Sequence, residues 1–389
     1  MRSGAGALLG APAQRGLLRA TEAALVGGNA ARLLVDGPAA YPAMLELIRS
    51  ARERIAFENY IIRDDATGRR FAQALVERAR AGVEVRVLYD WLGSRSTARG
   101  FWRELRAGGV RIGAFGAPTL RRPYAAGRRN HRKLVLADGR RAVVGGLCIG
   151  DEWMPRPHEE CWRDTAVLLE GPVVHDLEIS FARMWQRTTG QAPPLPPRTA
   201  EPAGDVRARV IDAPPKATRT YRLYQFVAAL AARSLYITGA YTLAPAPLRA
   251  ALAAAASAGV DVRLLAPGRS DVPIVNQAAR AHYASLLRAG VRIYEWQGPM
   301  LHAKTMVADE ALALVGSTNL NAFSFMACYE LDVEIQDPGI GRTLHAQFLR
   351  DLENAREITI SEWRRRPVRQ RLAERLGAAA LWLPYRIFT

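Results

Sequence analysis

One chemical pattern is written twice in this chain at a constant interval. His131, Lys133, Asp138 and Gly145 are matched by His302, Lys304, Asp309 and Gly316, each 171 positions further on (302 − 131 and 316 − 145 alike). Lysine usage sharpens the match. Of 54 lysines and arginines only Lys133, Lys216 and Lys304 are lysine, so two of the three fall at matched positions. Ammonium is a compact point charge and guanidinium a planar fork; a chain that otherwise writes arginine has twice kept the former beside an imidazole. The pattern constrains the fold to two similar units that build one site from two halves.

The duplication extends beyond the motif. ARAGVEVRVLYD (79–90) resembles ASAGVDVRLLAP (256–267), and ELRAGGVRIGAF (104–115) resembles LLRAGVRIYEW (286–296). In each, an alanine-rich amphipathic stretch ends at glycine and runs into a short apolar strand. Glycine after a helix is a C-cap signal, and strands apolar on both faces belong in a sheet covered on both sides. Helix then buried strand, repeated, predicts an α/β fold. EGPVVHDLEISFARMWQR (170–187) predicts an amphipathic helix packed on the sheet. Residues 191–215 are proline-rich and read as a linker, since proline continues neither a helix nor a central strand. The expected order is an N-terminal extension of helix and loop over 1–35, a first domain over 36–190, the linker, a second domain over 216–360, and a tail over 361–389. The tail carries an arginine cluster followed by Leu, Trp, Tyr and Phe. It reads either as an interfacial segment on anionic lipid or as a terminal helix packed on the body.

HRKLVLAD and HAKTMVAD read as strands. Alternate strand residues share a face, so His131 and Lys133 point one way, as do His302 and Lys304. Asp138 and Asp309 fall on the opposite parity, which gives them a supporting role, such as fixing the strand end. Two imidazoles and two ammoniums around one point suit a phosphodiester anion. Ser317 and Asn319, in GSTN, add hydrogen-bond donors. Imidazole titrates near neutrality, so one ring can attack phosphorus while the other protonates the leaving alkoxide. This chemistry calls for no cofactor and no metal.

A net charge of +17 attracts polyanions, either nucleic acid or an anionic membrane. Three cysteines are too few for a disulfide framework, which favours a reducing compartment. The first residues lack the apolar core of a signal peptide, and no apolar run reaches the ~20 residues needed to span a bilayer. The expectation is a protein lying against a membrane. His158, His175, His282 and His345 have no matched partner and read as bland. Asp64, Asp65 and Asp90 lie where loops follow strands, a common place for substrate contacts. Trp153, Trp162 and Trp185 read as core, with a substrate channel as the alternative.

The doubled H-x-K-x4-D-x6-G pattern resembles the phospholipase D superfamily and, more narrowly, bacterial cardiolipin synthases without N-terminal membrane spans. The stretches that carry the likeness are 57–94, 130–153, 162–172 and 301–325, within a match from about 40 to 360. The resemblance implies two α/β/α domains related by a pseudo-twofold axis, each with a mixed sheet, and an active site between them. It implies a covalent phosphatidyl-histidine, with His131 as nucleophile and His302 as general acid and base. Lys133, Lys304 and Asn319 would bind phosphoryl oxygens, joined by Ser317 and Gly146, with Asp138 and Asp309 completing the catalytic motifs. Glu330 and Asp164 match carboxylates that orient a histidine. One departure stands out: Cys148 occupies a place usually held by asparagine. The implied reaction condenses two phosphatidylglycerols to cardiolipin and glycerol at the cytoplasmic face of the bacterial inner membrane, with peripheral attachment and nucleic acid unexpected. The alternative is a phosphodiesterase of the same superfamily, a phospholipid hydrolase or nuclease. Oligomeric state is left open.

Overall fold

The computed structural model describes residues 8–118, 127–155, 160–194 and 201–388; His158 lies outside them. Among the described residues the first half contributes strands β1 (Val26–Val35), β2 (Arg54–Asn59), β3 (Glu84–Asp90) and β4 (Arg111–Phe115). It continues with β5 (Arg129–Asn130), β6 (Leu134–Ala137), β7 (Arg141–Gly145) and β8 (Thr165–Glu170). The second half adds β9 (Val206–Ala213), β10 (Ser234–Thr238), β11 (Asp261–Pro267) and β12 (Arg292–Trp296). It closes with β13 (Thr305–Ala308), β14 (Leu312–Gly316), β15 (Cys328–Gln336) and β16 (Ala355–Ile358).

From the centre outward the first half runs β1-β8-β7-β6-β2-β3-β4 and the second runs β9-β15-β14-β13-β10-β11-β12, with β16 at the far edge. The orders correspond strand for strand, as the duplication requires. The halves join where β1 pairs antiparallel with β9, so a single mixed sheet runs through the molecule. In both halves the outer three strands are parallel and the motif strand, β6 or β13, runs antiparallel to them. Every residue of β6, β13, β14 and β15 is buried, as expected for strands covered on both faces.

Three apolar cores follow. One lies under the helices Asp36–Ser50, Ala66–Arg80 and Arg99–Ala107 of the first half. Another lies under Arg219–Leu230 and Ala246–Ser257 of the second. The third is shared: Leu134, Val144 and Val167 of one half pack with Val307, Val315 and Leu331 of the other, beneath the helices Val174–Thr189 and Pro338–Glu353. At about 25 cal/mol per Å² of apolar surface buried, this shared core is what holds the halves in register.

Two expected boundaries are corrected. Residues 26–35 are not part of an extension outside the repeat; they form β1, between β8 and β9. Its glycines and alanines, in VGGNAARLLV, conceal the strand pattern. Its counterpart β9 lies inside the predicted linker, because the prolines stop at Pro202 and resume at Pro214, leaving VRARVIDA free to pair with β15. The helix Ala11–Thr21 packs on Arg219–Leu230 of the second half.

Candidate active site

The motif histidines do not lie on the strands, as their spacing predicts, but in the extended residues just before them. There the backbone is engaged by the other half. β5 pairs in parallel with Cys328 and Tyr329, and the His131 amide donates to the Tyr329 carbonyl at 3.0 Å. Reciprocally, Leu301 bridges to Arg163, whose carbonyl accepts from the His302 and Ala303 amides at 2.7 and 3.1 Å. Each histidine is thus delivered on a segment laid against the opposite half.

The side chains cross as well. His131 Nδ1 lies 2.9 and 3.1 Å from the two carboxylate oxygens of Glu330, in β15. His302 Nδ1 lies 2.6 Å from Asp164 Oδ2, at the entrance to β8. Tethering Nδ1 leaves Nε2 of each ring as the nitrogen free for chemistry. Both rings line one cavity of about 520 Å³, walled by residues of both halves. Lys133 and Lys304 stand behind them, each only 2% exposed and outside the lining. Lys133 Nζ donates to the His131 carbonyl at 2.6 Å and sits 5.3 Å from the Tyr60 ring; Lys304 Nζ donates to the His302 carbonyl.

The remaining predicted residues separate into those at the cavity and those that support it. Asn319 lines the cavity, and its buried Oδ1 is an acceptor without a hydrogen-bond partner. Ser317 is not a free donor: its hydroxyl donates to Glu330 at 2.6 Å and accepts from the Leu331 amide at 2.9 Å. Gly146 is likewise spent, its amide donating to the Thr165 carbonyl at 3.0 Å. A Cβ there would lie 2.1 Å from Asp164 Oδ1, so this glycine makes room for the carboxylate.

Asp138 and Asp309 lie at the far ends of β6 and β13 and do not reach the cavity. Asp138 accepts from the amides of Arg52, Glu53 and Arg54 at 2.8–2.9 Å. Asp309 accepts from those of Ala232, Arg233 and Ser234 at 2.8–2.9 Å. Each carboxylate therefore clamps the start of the neighbouring strand. The matched glycines also have a steric reason: a Cβ at Gly145 would fall 2.5 Å from Ala166 Cα, and one at Gly316 2.0 Å from Asp332 Oδ1. Cys148 is buried in the first-half core and outside the lining. Asp64, Asp65 and Asp90 are engaged structurally: Asp64 pairs with Arg69, Asp65 caps the helix Ala66–Arg80, and Asp90 holds the Asn130 amide.

The buried cations and anions set the titration of the site. Burial drives both imidazoles towards the neutral form. His302 falls to about 4, with Lys304 adding to burial and Asp164 opposing. His131 falls well below its usual value, with Lys133 and Lys304 adding to burial. Burial brings the Lys304 ammonium down to about 8. The carboxylates diverge. Burial opposes the Asp164 charge, but the His302 and Lys304 cations and hydrogen bonds from His302 and Trp153 bring it down to about 2. Burial pushes Glu330 up to about 8, against the pull of Lys133 and Ser317. Within the coupled His302–Asp164 pair, Asp164 is the ionised member and the empty-site imidazole is its neutral donor.

Several lining residues carry no spacing signal. Tyr60 meets the His131 ring edge-on at 4.9 Å, and Trp162 packs 5.7 Å from His302. Trp153 is core, as the sequence predicts, yet its indole N–H donates to Asp164 at 2.9 Å. Trp185 is plain core. Arg63, Arg129, Tyr241, Asp271, Asn321 and Ser324 add to the polar lining, while Val272, Val275, Phe323 and Met326 give the second-half wall an apolar surface. Tyr60 falls within FENYIIRDD, and only the likeness of that stretch to a family pointed towards it.

Known proteins resemble this chain over most of its length. The family described as "Cardiolipin synthase, PLD-like domain" matches residues 44–185 and again 228–352. This chain belongs to that family. It is an enzyme of the phosphatidyltransferase class. Cardiolipin synthase A of Pseudomonas aeruginosa is 38% identical over 363 residues, covering 92% of this chain and 73% of its own. Cardiolipin synthase of Geobacillus kaustophilus is 35% identical over 382 residues, covering 94% and 75%. Among solved structures, phosphatidylserine synthase of Haemophilus influenzae superposes with a TM-score of 0.75 at 12% identity, covering 96% of this chain and 99% of that one. Polyphosphate kinase of Porphyromonas gingivalis superposes with 0.59 at 16% identity, covering 91% and 51%. These likenesses establish the phospholipase D-like fold of the family member. No described helix is long and apolar enough to cross a membrane.

Proposed function

We propose that this family member is a cardiolipin synthase that transfers a phosphatidyl group through a covalent histidine intermediate. The observation that carries the reading is the pair of crossed imidazole–carboxylate contacts on one cavity with an apolar wall. His131 Nε2 attacks the phosphorus of one phosphatidylglycerol. The bond from phosphorus to the departing glycerol oxygen breaks, and that oxygen takes a proton from His302 Nε2. Glycerol leaves. The hydroxyl of a second phosphatidylglycerol then gives its proton to His302, its oxygen attacks phosphorus, the nitrogen–phosphorus bond breaks, and cardiolipin departs.

The assignment of roles rests on the carboxylates. His302 must carry a positive charge as acid, and ionised Asp164 stabilises that charge. Burial, with Lys304 repulsion added, keeps His302 neutral in the empty site, and a phosphodiester anion in the cavity offsets the lysine part. His131 must stay neutral as nucleophile, with Nδ1–H donating to a Glu330 oxygen so that the Nε2 lone pair meets phosphorus; burial, Lys133 and Lys304 hold the ring neutral. Asn319 and the field of Lys133 and Lys304 would hold the non-bridging oxygens. A net charge of +17 supports residence on an anionic membrane, with its lipid substrates, at the cytoplasmic face.

The test is rapid quenching with phosphatidylglycerol labelled at phosphorus. An acid-labile label on His131, with cardiolipin and glycerol as products, is expected. His131→Ala and His302→Ala should each lower turnover by about 10³-fold or more. Label on His302 would reverse the roles, and phosphatidic acid as the sole product would make the enzyme a hydrolase.

A further inference from the structure

The large apolar side chains that the described surface leaves exposed are unevenly spread. They are Leu18, Trp91, Val272, Ile274, Phe323, Leu349, Val368, Leu372 and Leu376. Six of these nine come from three neighbouring segments of the second half: the helix Pro273–Arg280 with its preceding residue, the helix Ala322–Ala327, and the terminal helix Val368–Phe388. The first two wall the cavity through Val272, Val275, Phe323 and Met326. The terminal helix packs against both.

The packing fixes which way the terminal helix turns. Gly377 lies against Gln277, Ala278 and the Ile274 carbonyl, where an added Cβ would meet atoms at 3.2–3.4 Å. Glu374 is buried, 3.0 Å from Arg366 and 3.6 Å from Arg280. Residues 374 and 377 therefore face the body. Val368, Leu372 and Leu376 recur every four residues on the outer side and are 77%, 56% and 61% exposed. Arg364, Arg365, Arg369 and Arg371 are exposed around them. An aliphatic stripe bordered by guanidiniums matches a helix lying in the headgroup region of an anionic leaflet, with apolar side chains in the acyl boundary and cations on phosphates.

We infer that the Val368–Phe388 helix, with Val272, Ile274 and Phe323, forms the docking face that seats the mouth of the cavity on an anionic lipid leaflet. This rests on the phosphatidyl-transfer reading for its purpose. A phosphodiester can then rise to the histidines along the apolar second-half wall while its acyl chains remain in lipid. Leaving the bilayer altogether would expose those chains to water.

The test uses the full chain and vesicles of phosphatidylcholine with or without phosphatidylglycerol. Doubly substituting Leu372→Glu and Leu376→Glu should weaken co-sedimentation with phosphatidylglycerol vesicles by about tenfold or more. Turnover of dispersed short-chain phosphatidylglycerol should be unchanged, which reports an intact fold and site. Leu18→Glu, on the helix packed at Arg219–Leu230, should bind vesicles as the parent does. Unchanged co-sedimentation of the double variant would overturn the inference. So would a loss of self-association, seen by light scattering, with vesicle binding intact, because the stripe would then meet a second copy. If the parent transfers no phosphatidyl group to either substrate while the double variant still loses vesicles, the reaction reading fails and the docking face stands.

Discussion

The two halves share a frame and differ in their chemistry. Strand order, clamping aspartates and close-packed glycines correspond from one to the other. At the cavity the correspondence ends. His302 faces the short side chain of Asp164, which takes an indole N–H and stays ionised. His131 faces the longer Glu330, which takes a serine hydroxyl and keeps its proton to about 8. The second half offers Asn319 to the cavity; the first has Cys148, buried in its core. Most of the aliphatic wall also comes from the second half, through Val272, Val275 and Met326, while the first half supplies Ile61 and the aromatic Tyr60 and Trp162. Duplication supplies the geometry, and a few side chains divide the labour within it.

The largest test of that division compares the carboxylates. Asp164→Asn removes the charge that stabilises an imidazolium and should lower kcat by about 10³-fold. Glu330→Gln resembles the protonated form already present at neutral pH and should cost about tenfold or less in kcat. Equal losses would mean that the two histidines are chemically alike. Next comes the amide. Asn319→Cys, which makes the second half like the first, should lower kcat/KM by about tenfold through one lost phosphate contact. Cys148→Asn should leave kcat/KM within about threefold and instead destabilise by about 1–3 kcal/mol, read by chemical denaturation, because it buries an amide in an apolar core. A large gain in activity would show that the first half also presents this position to substrate.

The clamps provide a smaller contrast. Asp309 is buried and Asp138 half-buried, though each accepts three backbone amides. Asp309→Ala should destabilise by about 2–3 kcal/mol and Asp138→Ala by about 1 kcal/mol, with KM unchanged in both. The smallest effect is a slope. Glu330 rises from 4.5 to about 8 on folding, so between those values the folded chain holds more protons than the unfolded one. Its contribution therefore falls as pH rises through that window. Asp164 drops from 3.8 to about 2, so its contribution is present above 3.8 and lost as pH falls towards 2. Stability against pH should lose the first slope in Glu330→Gln and the second in Asp164→Asn.

Much of this was legible in the residues. The interval between His131 and His302 predicts a shared site, and the helix–glycine–strand units predict the α/β layers; both describe properties a local pattern can carry. Asp138 does lie away from His131, but because it follows the far end of β6 while the histidine precedes the strand, not through the parity of a shared strand. The strands β1 and β9 were missed because glycine and flanking proline mask a pattern that only pairing at the centre makes stable. Placing Ser317 and Gly146 on substrate failed for a related reason. Their hydrogen-bonding groups are consumed by Glu330 and Thr165, partners on neighbouring strands that spacing within a motif cannot reveal. The crossing of the carboxylates was invisible too, since nothing in a repeat says which copy will orient which ring.

That crossing has a consequence for the newly made polypeptide. His131 leaves the ribosome long before Glu330 is translated, and Asp164 long before His302. Until the later segments are threaded against the earlier ones, neither ring has its anchor. On the proposed mechanism, a chain stopped short of β15 should therefore be chemically silent however well its first lobe is formed, read as turnover of phosphatidylglycerol.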